Sequence, residues 1–149
     1  MNEQAAAIHP PRAPRLGRVL RGIGAVLAGV LANIVIVGAL DSALRAMGVF
    51  PPMFQPMAEH QWAIALICRL FFAVFGGFLT ARLAPAWPMR HAVVLGCIET
   101  AMTVPFVLAN WNKPEFGPHW FAISAAASCL PLAALGGVLG AKRTVRENQ

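Results

Sequence analysis

The chain has 149 residues, of which 58% are hydrophobic and 12% are charged. A soluble domain of this length would carry about twice that share of charged residues. The composition therefore excludes an ordinary soluble domain and predicts one compact unit of membrane-spanning helices. The formal net charge of +6 does not indicate nucleic-acid binding, because the basic residues flank apolar runs instead of forming one patch.

The amino-terminal part is predicted to be a tail followed by a span. Residues 1–18 are polar and contain three prolines, so we expect a disordered, basic cytoplasmic tail. The first predicted span, residues 22–40, exceeds the apolar core of about 7 to 15 residues in a signal peptide, which favours a retained helix. Within it, Asn33 lies beside a small-residue stripe that includes Gly29, and we expect it to hydrogen-bond to another helix. Asp41 begins the first outer loop.

The second predicted span, residues 61–81, carries one arginine, Arg69, inside its apolar run. A helix of this length rises about 31 Å and matches a hydrocarbon core of roughly 30 Å. Its ten Leu, Ile, Val and Phe residues contribute roughly 3 to 6 kcal/mol to insertion, whereas a mid-span arginine costs about 2.5 to 3.5 kcal/mol. Arg69 shares a helical face with Ala73 and Gly76, so its guanidinium is expected to point towards protein.

The third predicted span, residues 92–109, carries Glu99 near its middle and Pro105. The favourable insertion free energy of its apolar residues is nearly cancelled by the cost of Glu99, so this span needs a partner inside the membrane. We expect Arg69 to pair with Glu99, because the two differ in depth by about 6 Å; Asp41 is the alternative partner. The pair would fix helix register, or it would form part of a proton- or ion-coupled site lined by Asn33, Glu99 and Arg69.

The fourth predicted span, residues 120–141, contains no charged residue and is followed by a short cytoplasmic tail, residues 142–149. Small residues that let helix backbones approach closely recur along the spans. The predicted helix-packing glycines are Gly29, Gly76, Gly77, Gly136, Gly137 and Gly140.

The distribution of basic residues predicts the topology. Nine Lys and Arg residues lie beside the amino terminus, the turn between spans two and three, and the carboxyl terminus, against two in the other loops. The positive-inside bias therefore places both termini in the cytoplasm. Specific binding of anionic membrane lipid is the alternative explanation for the basic residues.

Two segments share the pattern GG-x-L-x-A-basic: Gly76–Arg82 at the end of the second span and Gly136–Lys142 at the end of the fourth. The match suggests two repeated helical hairpins. The alternative is that glycine and a terminal cation are common at the inner ends of spanning helices.

No motif predicts a catalytic or metal site. His60, His119, Glu59 and Glu115 lack the spacing of metal ligands. The three cysteines fall in three different apolar runs and are expected to be buried apolar residues. We therefore expect no enzyme, no metal and no cofactor.

The segments Gly76–Pro85, Pro88–Gly96 and Pro114–Trp120 resemble the uncharacterised small four-helix inner-membrane proteins of bacteria. The resemblance covers roughly residues 19–140 and implies four spans in the inner membrane. That family has no established activity, so no site residue is transferred. We expect an all-α membrane protein that acts as an accessory, structural or interaction subunit, as a homo-oligomer or with another membrane protein. A small transporter or channel-like module is the alternative.

Overall fold

The computed structural model describes residues 15–147, and side chains are described for residues 16–141. The described residues form four α-helices: α1 (Arg15–Ala46), α2 (Glu59–Leu83), α3 (Pro88–Ala109) and α4 (His119–Glu147). A single 3-10 turn, Pro114–Phe116, precedes α4. All four α-helices are long and apolar enough to cross a membrane, which confirms the all-helical prediction with four candidate spans. The predictions for residues 1–14 and 148–149 lie outside the described residues.

Helix α1 is longer than the predicted span at both ends. Residues 15–18, expected to be disordered, begin the helix, and Asp41, expected to begin a loop, lies inside it. Local pairing explains the extension, because the Arg45 guanidinium donates Nε–H to Asp41 Oδ2 at 3.0 Å and Ser42 Oγ donates to the Gly38 carbonyl. The helix ends where Gly48 adopts a left-handed conformation with φ 74°, a common helix stop.

The loop of residues 47–58 connects α1 to α2 and is tied to the start of α2. The Ala58 backbone N–H donates to Gln61 Oε1 at 2.8 Å, and the Gln61 side chain also donates to the Val49 carbonyl. Gln61 therefore satisfies backbone groups on both sides of the helix start.

A short turn, residues 84–87, connects α2 to α3. Trp87 takes a left-handed conformation with φ 53°, and Pro88 opens α3. The Arg90 guanidinium lies 4.4 Å from the centre of the Trp87 indole, a cation–π contact. The turn makes α2 and α3 antiparallel neighbours, and the two helices are in contact.

The most extensive helix contact joins α2 and α4, and its centre is made of glycine. A Cβ at Gly77 would collide with the backbone of Ala133, and a Cβ at Gly136 would collide with the backbone of Val74 and Phe78. The two GG segments thus face each other at this crossing, as close packing of spanning helices requires. Duplication of a hairpin stays a prediction.

The other predicted packing glycines also lie at contacts with neighbouring helices. A Cβ at Gly29 on α1 would meet the Thr80 hydroxyl on α2, and Gly140 on α4 approaches the Phe78 carbonyl. Helices α1 and α4 lie on opposite sides of the α2–α3 pair, and no Cα atoms of their described residues lie within 8 Å of each other. A small core cluster consists of Val26 from α1, Leu95 from α3 and Ala133 from α4.

Candidate functional site

The two longer loops, residues 47–58 and 110–118, lie at one end of the bundle, here called the loop end. The turn between α2 and α3 lies at the opposite end, the turn end. Polar and aromatic side chains concentrate at and below the loop end, and they define the candidate site.

Aromatic residues close the loop end of the bundle. Trp62 is 9% exposed and packs against Phe121 with ring centres 4.8 Å apart, so it belongs to the protein interior. Trp120 donates its indole N–H to Glu59 Oε2 at 3.0 Å, and Trp111 stacks on His119 at 4.2 Å. These contacts fix α2, α4 and the second loop against one another.

A cavity of about 320 Å³ lies directly below the first loop and is called the loop-end cavity. Its walls are mainly apolar and aromatic, and its charged lining residues are Asp41, Arg45, Arg69 and Glu115. Asp41 and Arg45 compensate each other by the ion pair within α1. The apolar wall includes Phe50, Trp62, Phe72, Phe116 and Phe121, and the same wall carries the thiol of Cys68.

Arg69 lies at the junction of three cavities. It lines the loop-end cavity, a small cavity of about 50 Å³ beside His119 and Trp111, and a third cavity of about 360 Å³ deeper in the bundle. The Arg69 side chain is exposed, and it makes no hydrogen bond or salt bridge to any residue within the described part of the chain. Its guanidinium therefore presents donors to the cavities and not to a fixed protein acceptor.

The third cavity, called the mid-bundle cavity, is lined by Glu99 of α3. Its polar lining residues are Asn33, Arg69, Glu99, Thr103, Ser128 and Cys129. Asn33 Nδ2 donates to Glu99 Oε1 at 2.7 Å, as expected of an interhelical amide. Asn33 Oδ1 and Glu99 Oε2 are buried and have no hydrogen-bond partner among the described residues.

Glu99 is hydrogen-bonded to Asn33 and not to Arg69, the partner that the sequence predicts. The Arg69 and Glu99 side chains line the same cavity, but the described residues contain no salt bridge between them within 4.0 Å. The prediction compared only the depths of Arg69 and Glu99 in the membrane. In the structure the Asn33 amide on α1 donates directly to the Glu99 carboxylate. The alternative partner, Asp41, is paired with Arg45.

The Asn33–Glu99 hydrogen bond gives a direct test of this arrangement. Replacing Asn33 by alanine removes the carboxylate's donor and should cost about 1 to 3 kcal/mol of stability. The double variant Asn33→Ala/Glu99→Ala should depart from additivity by about 0.5 to 3 kcal/mol, because the two residues act together. Thermal unfolding in detergent measures all three variants.

Asn110 supplies the matched control for that cycle. Its amide donates to the Phe106 carbonyl of its own helix, so Asn110→Ala and Glu99→Ala should add. Additive losses for Asn33 and Glu99 would mean that the amide does not hold the carboxylate.

The sequence identified the four polar residues but not all of the surrounding site. The structure brings Asn33, Arg69 and Glu99 to one cavity and places Asp41 on the wall of the next. The three cysteines are predicted to be buried, but Cys97 is exposed and Cys68 is half-buried on the wall of the loop-end cavity; Cys129 is buried. Comparisons of this chain with protein-family models, with curated proteins and with solved structures give no match.

Proposed function

We propose that the protein is a multi-pass protein of the bacterial inner membrane with both termini in the cytoplasm. Four helices that could span a membrane support the multi-pass arrangement. Arg18, Arg21, Arg82 and Arg90 all belong to the turn end, so the positive-inside bias makes the turn end cytoplasmic and the loop end external.

Within that membrane the protein binds a small organic anion at Arg69, as a small transporter-like module. The observation that carries this function is the position of Arg69, whose guanidinium opens onto three cavities without a bond to a described acceptor. A charge held inside a span without a direct partner is costly, and such groups usually serve a pathway or ligand. An anion at Arg69 would supply the hydrogen-bond acceptor that the described residues do not provide.

The walls of the loop-end cavity indicate the rest of the ligand. Its volume of about 320 Å³ lies at the lower end of the roughly 300 to 1,000 Å³ of small-molecule pockets. Phenylalanine and tryptophan line the space between Arg69 and the loop, which suits an apolar or aromatic body. The ligand class is therefore a monoanion with a carboxylate or sulfonate at one end and a compact apolar group at the other.

Phenylacetate is a suitable probe of this class, and Cys68 is a built-in reporter. In a Cys97→Ala/Cys129→Ala background, Cys68 is the remaining thiol on the wall of the cavity. Phenylacetate should slow the modification of Cys68 by the neutral reagent N-ethylmaleimide, because the bound anion covers the thiol. The uncharged isostere phenylacetamide should protect at least tenfold less well, since a charge-assisted bond of about 1.5 to 3 kcal/mol is lost.

The variant Arg69→Gln should remove the difference in Cys68 protection between phenylacetate and phenylacetamide, whereas Arg69→Lys should retain part of that difference. Equal protection by phenylacetate and phenylacetamide in the unchanged protein would contradict an anion site. The same conclusion would follow if Arg69→Gln left phenylacetate protection intact.

A second candidate function is an accessory or interaction subunit, and one observation favours it. Gly17, Gly24 and Gly38 lie on α1 at multiples of seven residues, and nothing approaches within 4 Å of a Cβ built on any of them. A face of this kind suits close packing against a second copy or another membrane protein, with membrane lipid covering it otherwise.

Native mass spectrometry from a mild detergent measures this second function. The accessory role predicts a dimer, a larger homo-oligomer or a retained protein partner. A monomer that retains lipid alone would count against it.

A further inference from the structure

The mid-bundle cavity places one acid opposite the arginine of the proposed anion site. From α1 the cavity is faced by Asn33, from α2 by Arg69, and from α4 by Cys129. Arg69 is the one cation among its described lining residues. The charge of Glu99 is therefore balanced across the cavity by the same guanidinium that the anion would occupy.

The two oxygens of Glu99 have different surroundings. Oε1 accepts the 2.7 Å hydrogen bond from the Asn33 amide, whereas Oε2 is buried and has no described partner. Oε2 is thus the oxygen with room for a proton. The rim of the cavity is apolar, with Ile34, Met102 and Phe106 each more than half exposed to the surroundings, so in a membrane little water would screen an unbalanced charge.

We infer that binding of the anion at Arg69 is coupled to uptake of one proton by Glu99, an inference that rests on the proposed function. Before binding, the guanidinium cation and the Glu99 carboxylate balance each other. After binding, the anion balances the guanidinium, and a proton from water forms an O–H bond at Oε2 of Glu99. One negative and one positive charge enter together, so the net charge of the site does not change.

Electrostatic cost is the reason for the coupling. An anion held by Arg69 weakens the attraction between the guanidinium and Glu99, and it places a second negative charge beside the same guanidinium. An unbalanced buried carboxylate costs several kcal/mol, and protonation removes that cost. Cotransport of an organic anion with one proton is the activity that follows from this exchange.

The test uses phenylacetate protection of Cys68 between about pH 6 and pH 8, where phenylacetate stays ionised. Rates at each pH are divided by the rate without phenylacetate, which cancels the ionisation of the thiol. Uptake of one proton requires the half-protecting concentration to rise about tenfold for each unit of pH. Glu99→Gln should still bind phenylacetate, but with no dependence on pH.

His119 is the control, since its imidazole lines the small cavity next to Arg69. The variant His119→Gln should retain the tenfold slope. Protection that is independent of pH in the unchanged protein, or a slope that survives in Glu99→Gln, would overturn the coupling and leave the anion site standing. Absence of protection at every pH would overturn both the coupling and the proposed function.

Discussion

Replacing Gly136 by alanine is expected to remove most of the folded protein. A Cβ at this position would lie 2.7 Å from the backbone nitrogen of Phe78 and would also collide with the Val74 carbonyl. Backbone atoms cannot move aside as a flexible side chain can, so α2 and α4 would have to separate along their most extensive contact. We expect a loss of at least about 3 kcal/mol, the upper end of ordinary overpacking.

Gly38 on α1 provides the matched control for the same chemical change. Nothing lies within 4 Å of a Cβ built there, so in the monomer Gly38→Ala should be neutral or gain up to about 1 kcal/mol from helix propensity. The measurement is the thermal unfolding midpoint of both variants in one detergent, together with their abundance in the membrane. Equal midpoints for Gly136→Ala and Gly38→Ala would show that the α2–α4 crossing is not as close as described.

Much of the architecture follows from local patterns in the sequence. Length and hydropathy gave four helices, and the recurrence of glycine marked the faces on which they meet. Gly77 and Gly136 were expected at helix contacts because small residues permit close backbone approach. Their placement opposite each other depends on how α2 and α4 cross, which the sequence pattern of a single helix does not contain.

The sequence singles out the polar residues inside the spans but does not give all of their contacts. Asn33, Arg69 and Glu99 stand out in the sequence because polar groups inside a span are expensive. The identity of the carboxylate's donor depends on the distance between α1 and α3, and there a short amide reaches Glu99 at 2.7 Å. Depth along a helix axis gives no information on that lateral distance.

The length of α1 shows a different limit of sequence patterns. Hydropathy ends the span before Asp41, yet the ion pair with Arg45 and the Ser42 hydroxyl allow the helix to continue. The extension carries Asp41 onto the wall of the loop-end cavity. A polar residue at the edge of an apolar run therefore ended the predicted span without ending the helix.

The central claim is that Arg69 acts as an exposed positive charge in a cavity open at the external loop end. Cys68 precedes Arg69 and lines the same cavity, so its reaction with charged thiosulfonates reports the local potential. At about 7 Å, a unit charge on the reagent interacts with the guanidinium by about 0.6 kcal/mol in water and about 2.4 kcal/mol at a dielectric constant of about 20. These energies correspond to changes in rate of about threefold and sixtyfold.

The most direct measurement is therefore the rate at which Cys68 is modified in the Cys97→Ala/Cys129→Ala background. The anionic reagent is sulfonatoethyl methanethiosulfonate and the cationic one is trimethylammonioethyl methanethiosulfonate. Each is added outside right-side-out vesicles. Arg69→Gln should slow the anionic reagent and accelerate the cationic reagent by those factors, and Arg69→Lys should leave the ratio of the two rates close to that of the unchanged protein. An unchanged ratio in Arg69→Gln, or modification from the cytoplasmic side alone, would contradict an external cavity governed by Arg69.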